Sequence, residues 1–90
     1  MSDVNRGNTL NLVEAFGQIL KQLRKEKGFS QEKLAELCDL DRTYISMLER
    51  GKRQPTLTTI YVIGKVLDVY PPLLIDTAIK KKGGVNPPQS

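Results

Sequence analysis

Between Gln31 and Arg53 the chain concentrates side chains suited to reading and gripping a polyanion. Arg42 leads them. Its guanidinium is a planar fork of donors that can pair with guanine O6 and N7 together, a match worth about 1–3 kcal/mol of discrimination between bases. Thr43 beside it offers a hydroxyl and a methyl, suited to a base edge, a thymine methyl or a phosphate. Ser46 and Met47 follow one helical turn later and share that face. A methionine there suits thymine methyls or packing on the protein's own surface. Arg50, Lys52, Arg53 and Gln54 come next, able to hold phosphate oxygens without reading sequence. A charge run is ordinarily just a solvated face; this one directly follows the reading segment. Gln31 opens the stretch, where free backbone N–H groups and a side-chain amide can receive a phosphate. Tyr44 is expected to pack its ring at the edge of the unit and extend its hydroxyl to a phosphate.

These side chains need helices to aim them, and the spacing of apolar residues supplies the helices. Ser30 is an N-cap for a helix from Gln31 to Cys38, which buries Leu34, Ala35 and either Leu37 or Cys38. Asp39 makes the turn, Leu40 plugs inward, and Asp41 caps a helix from Arg42 to Arg50 that Gly51 ends. Ile45 and Leu48, three apart, mark its buried side, with Arg42, Thr43, Ser46, Met47 and Arg50 around the other. Two short helices at an angle, the second with a polar outer face, fit a DNA major groove.

Upstream, Val13, Phe16, Ile19, Leu20 and Leu23 form one helical stripe, and Gly28 stops that helix. Downstream, Thr56 or Thr58 caps a helix reaching about Val69. Its inward set is read as Leu57, Ile60, Tyr61, Ile63 or Gly64, and Leu67. Pro71 and Pro72 suit the first turn of a fifth helix, which carries Leu73, Leu74, Ile75, Ala78 and Ile79 and runs into Lys80–Lys82. No stretch alternates as a strand does. The expected fold is a compact all-α, five-helix domain over residues 11–82, with disordered tails at 1–10 and 83–90.

With 90 residues the chain can bury one modest core. A net charge of +4 favours a polyanionic partner. The single cysteine, Cys38, and the absence of histidine exclude an internal disulfide, a Cys/His zinc site and histidine acid–base chemistry. There is no glycine-rich phosphate loop and no carboxylate cluster beyond ordinary helix surface, so an enzyme is a poor reading, and no cofactor is expected. Cys38 reads as a small apolar residue of the core. No apolar run spans a bilayer and no signal-peptide core is visible, which makes a reducing cytoplasm the default.

Residues 14–68 resemble the helix-turn-helix domain of the lambdoid-repressor and Cro type, often called the XRE family. The resemblance lies in Phe29-Ser30-Gln31-Glu32-Lys33-Leu34-Ala35, in Asp41-Arg42-Thr43-Tyr44-Ile45-Ser46 and in Leu48-Glu49-Arg50-Gly51-Lys52-Arg53-Gln54-Pro55. The Asp-Arg-Thr-Tyr-Ile-Ser string and the small size are similar to the controller proteins of restriction–modification systems, which are small dimeric autoregulators. The resemblance implies a left-handed backbone at Asp39, where the family commonly has glycine. It also implies a partly buried ion pair between Arg24 and Glu49 that holds the recognition helix at a fixed angle.

One such module reads only a few base pairs, so specificity calls for two related by a two-fold axis. Tyr70, Leu73, Leu74, Ile75 and Ile79 are the expected dimer surface; the alternative is that they close the protomer's own core. The function expected is that of a sequence-specific regulator binding double-stranded DNA as a homodimer on a palindromic operator. It would block RNA polymerase or recruit it according to where the site lies. An antitoxin, or another protein-interaction module on the same fold, is the alternative.

Overall fold

A computed structural model describes the backbone of residues 2–81 and the side chains of residues 12–80. Five helices follow one another: α1 (Ser2–Glu26), α2 (Gln31–Cys38), α3 (Arg42–Glu49), α4 (Leu57–Leu67) and α5 (Pro71–Lys81), with no strand among the described residues. Residue 82 and the expected tail 83–90 lie outside the described residues. The backbone of α1 is helical from Ser2, ahead of the start that the apolar stripe marks and through most of the segment expected to be a disordered tail. That stretch contains no proline, and extending a helix already nucleated costs far less than starting one.

Each boundary has a local cause. Ser30 Oγ accepts from the N–H of Lys33 at 2.9 Å, Asp41 Oδ1 from that of Thr43 at 3.3 Å, and Thr56 Oγ1 from that of Thr59 at 3.0 Å. Of the two threonines that could cap α4, Thr56 does so. At the other ends, α2 stops on Asp39 at φ 57° and α4 on Asp68 at φ 61°, both left-handed. Aspartate tolerates that conformation better than most side chains, and each returns its N–H to carbonyls of the last turn. α3 closes with Gly51 at φ 70°.

α1 packs against α3 and α5, α2 against α3 and α4, and α4 against α5, so α3 is gripped from two sides. Leu20, Leu34, Ile45, Leu48, Ile63, Leu67 and Leu74 are the large side chains fully buried at the centre. Cys38 rather than Leu37 turns inward: Leu37 is 44% exposed. Two residues expected inside are outside. Leu57 is 85% and Tyr61 56% exposed. Four residues apart on α4, they share its outer face, while Thr59, Ile60, Ile63, Gly64 and Leu67 turn inward.

Gly17 is where α1 and α3 come closest. A Cβ there would overlap the carbonyl oxygens of both Leu48 and Glu49. These are backbone atoms, so the helices themselves would have to part. On an open helix face Gly→Ala stabilises by up to about 1 kcal/mol; at this position the sign reverses. Gly17→Ala is expected to cost about 1–3 kcal/mol in denaturant unfolding, through overpacking. Burial also pushes the Cys38 thiol above its ordinary pKa. Alkylation of the native protein is therefore expected to be slow at neutral pH and to become fast only on unfolding, as mass spectrometry would follow.

Candidate nucleic-acid interface

The first turn of α3 projects from the body of the protein. Ile45, Leu48 and Glu49 bury one side of this helix, which turns Arg42 and Thr43 fully outward and leaves Ser46 and Met47 partly accessible one turn on. Among the described residues the Arg42 side chain makes no hydrogen bond and no ion pair; neither Asp39 nor Asp41 holds it. Its guanidinium is free to meet a ligand. Arg42 shares a polar cleft with Arg24, Ser30, Gln31 and Glu32, so the start of α3 and the start of α2 face one opening. The four expected base-reading residues lie on one helix face, and Gln31 stands beside it.

After α3 the chain turns through Gly51 and presents Arg50, Lys52, Arg53 and Gln54, all exposed. Arg50 folds back so that its Nε donates to Ser46 O at 3.4 Å, and Lys52 N donates to Met47 O at 2.8 Å. The basic turn is thereby pinned to the end of the recognition helix. Gln54 stands somewhat apart, at the rim of an apolar hollow lined by Leu12, Val13, Phe16 and Ile75.

Tyr44 packs its ring at the edge of the unit. It is half-buried, and its hydroxyl lies 3.3 Å from Thr59 Oγ1, which also accepts from Thr56 Oγ1 at 2.9 Å. That contact leaves the hydroxyl expected to reach a phosphate with capacity for a further bond. The ring also seats a neighbour: the Arg53 guanidinium lies 5.5 Å from its centroid. A cation over an aromatic face gains about 0.5–1 kcal/mol at an exposed site, enough to bias where Arg53 waits.

Behind the reading face lies a charged network. Arg24 Nε donates to Glu49 Oε2 at 2.6 Å and Nη2 to Oε1 at 3.1 Å, a bidentate pair between the last turn of α1 and the last residue of α3. Arg24 Nη1 donates to Phe29 O at 2.7 Å, tying in the link to α2. Gln31 Nε2 donates to Glu49 Oε1 at 3.0 Å. That last contact is invisible to motif reading, because it joins a residue expected at the DNA to one expected in the scaffold. Both charged side chains are almost wholly buried, with 8% and 2% of their surface exposed. No buried side-chain nitrogen or oxygen among the described residues lacks a partner.

The expected dimer surface divides in two. Leu74 is 1% exposed and closes the protomer's own core against its neighbours, so it is not available to a partner. Ile75 and Ile79 are half-buried, Ile75 packing on the core, whereas Tyr70 at 73% and Leu73 at 49% remain exposed. Leu57 and Tyr61, which periodicity assigns inward, join Tyr70 and Leu73 as the large apolar side chains that α4, α5 and the link between them leave in solvent. Lys80 pairs with Asp76 at 3.1 Å, the i,i+4 surface pair of a solubilising end. Among the described residues no cluster of acidic or sulfur ligands could hold a metal ion, and no helix is long and apolar enough to cross a membrane.

Removing the Glu49 carboxylate would leave Arg24 charged, buried and unpaired, which typically costs about 3–5 kcal/mol. Glu49→Ala is therefore expected to lower the melting temperature markedly while keeping the helical circular-dichroism signature at low temperature. An unchanged melting temperature would show that the pair does not hold the fold.

The sequence profile described as helix-turn-helix matches residues 20–74. The control protein C.BamHI of Bacillus amyloliquefaciens is 51% identical over 69 residues, covering 76% of this chain and 85% of that protein. Among solved structures, the restriction–modification controller protein C.AhdI from Aeromonas hydrophila superposes with a TM-score of 0.66 at 48% identity, covering 70% of this chain and 94% of that one. The controller protein C.Esp1396I, solved as a tetramer with its natural 35 base-pair operator, superposes at 0.70 with 38% identity, over 79% of this chain and 93% of its own. A profile that spans more than half of the chain, on a fold shared with proteins this similar, places it: the chain belongs to the helix-turn-helix family.

Proposed function

We propose that this chain is a transcriptional regulator of the restriction–modification controller kind, binding duplex DNA sequence-specifically as a homodimer on a palindromic operator. The observation that carries this reading is the unpaired guanidinium of Arg42 in the first turn of α3, on a helix whose far end is locked by the buried Glu49 carboxylate. A reading side chain with no internal partner, on a helix with no freedom to tilt, is arranged for base recognition. Thr43, Ser46 and Met47 complete the reading face. Gln31, Tyr44, Arg50, Lys52, Arg53 and Gln54 take the phosphates, with the Tyr44 ring also seating Arg53. The named relatives support the controller subtype: C.BamHI is a control protein, and C.Esp1396I is solved on its operator.

Pairing would use Tyr70 and Leu73 with the exposed face of α4, Leu57 and Tyr61, placing two recognition helices about 34–36 Å apart. Bound across a promoter, such a dimer blocks RNA polymerase; bound upstream, it can recruit it. Both settings place the protein in the cytoplasm, where its DNA lies.

Selection of duplexes from a random pool at physiological salt tests the reading. The expected result is a two-fold consensus, with Arg42→Ala relaxing one position in each half-site by about 1–3 kcal/mol. Uniform weak binding to every duplex would refute specific recognition. For pairing, Tyr61→Asp is expected to shift sedimentation from dimer to monomer at micromolar concentration without unfolding the protomer, since Tyr61 is an exposed side chain.

A further inference from the structure

Gln31 sits at a junction between gripping and reading. Its Nε2 donates to Glu49 Oε1, the same oxygen that accepts from Arg24 Nη2, so one carboxylate oxygen serves the ends of α1 and α3 and the start of α2. Glu49 is the last residue of α3, and Gln31 is the first of α2. Gln31 is also half-exposed and lines the polar cleft that it shares with Arg42. With its amide nitrogen engaged by Glu49, the Gln31 side chain keeps its carbonyl oxygen for another partner. The Ser30 hydroxyl caps Lys33 N, and Leu34 N bonds to Ser30 O, so these bonds do not use the N–H groups of Gln31 and Glu32.

We propose that Gln31 is a positioning residue that couples the phosphate grip at the start of α2 to the orientation of the recognition helix, through Glu49. The inference rests on the reading of this surface as a DNA interface. The Arg24 fork sets how the end of α3 meets α1. Gln31 bonds the same carboxylate from the start of α2, at the mouth of the cleft, so the pose of α3 relative to the cleft depends on both. A phosphate drawn to the start of α2 then seats Gln31, and Gln31 seats Glu49. The grip on the backbone and the aim of Arg42 become one event. A pure phosphate contact behaves differently: it strengthens binding to every sequence by the same factor.

That difference sets the test. Affinity is measured by fluorescence anisotropy for the duplex selected from the random pool and for a scrambled duplex of equal length and composition. Gln31→Ala is expected to weaken the selected duplex about tenfold and the scrambled one less than about twofold, the scale of a hydrogen bond to a charged group. Gln31→Glu has the same reach but cannot donate to Glu49, and it should reduce the ratio of the two affinities in the same direction. In a Glu49→Gln background the loss caused by Gln31→Ala should shrink, because the anion that holds the amide has gone. Equal losses on both duplexes, or losses that simply multiply with that of Glu49→Gln, would overturn the coupling. Unfolding of both Gln31 variants at the assay temperature would overturn it too, by making Gln31 a stability residue. If the unmodified protein selects no consensus, the reading of the surface as a sequence-specific interface fails first, and this test separates that outcome from failure of the coupling alone.

Discussion

A single buried carboxylate governs this molecule. Glu49 ends the recognition helix and accepts three N–H donors, two from Arg24 on α1 and one from Gln31 on α2. Burying an ion costs several kcal/mol in lost hydration, and the attraction to a partner offsets that cost only when geometry is good and the other lone pairs are used. Both conditions are met here, because the guanidinium binds with both arms, a further Arg24 N–H satisfies Phe29 O, and Gln31 uses another carboxylate lone pair. An apolar pair of similar size could fill the same volume with comparable stability, but it would slide. The ion pair contributes direction: it joins three helix ends at one point and tolerates little displacement of any of them.

The packing around that point follows the same constraint. Gly17 allows the backbone of α1 to approach the last turn of α3 closely, which brings Arg24, two turns further along α1, within reach of Glu49. Ile45 and Leu48 fill the space beneath, and Ala35 keeps α2 close. On the far side, the chain of hydroxyls from Thr56 through Thr59 to Tyr44 ties α3 to the start of α4. The reading helix is therefore held at its end by charge, along its length by close packing, and on its flank by hydroxyl bonds. The Arg42 side chain, in its first turn, points away from all of these contacts.

Much of this was legible in the residues. Ser30, Asp41 and Gly51 mark the helix limits, and the left-handed Asp39 and the Arg24–Glu49 pair are where the family resemblance implies them. α4 was harder. Its residues are apolar on nearly every side, so periodicity does not tell an inward face from an outward one; Leu57 and Tyr61 stand in solvent while Thr59, a polar residue, is buried. A helix that offers apolar side chains both to a core and to a second surface carries two overlapping stripes, and only packing separates them. Leu74 fails in the opposite sense: it belongs to the apolar run of α5 and proves to be interior. The contact of the Tyr44 hydroxyl with Thr59 was not legible, because Thr59 lies fifteen residues away on another helix. Short motifs describe what a residue can bond, not which of several partners is nearer.

The close seat of α1 on α3 at Gly17 has a bearing on the nucleic acid itself. The two backbones leave no room there for even a methyl group, so α3 cannot move closer to α1 to meet a groove that is slightly too wide or a half-site that is slightly overwound. Any misfit must then be absorbed by the duplex, whose resistance to twisting and bending varies with its base steps. A reader held this way would discriminate at base pairs it never touches, because the stiffness of the DNA between and beside its contacts would become part of what it measures.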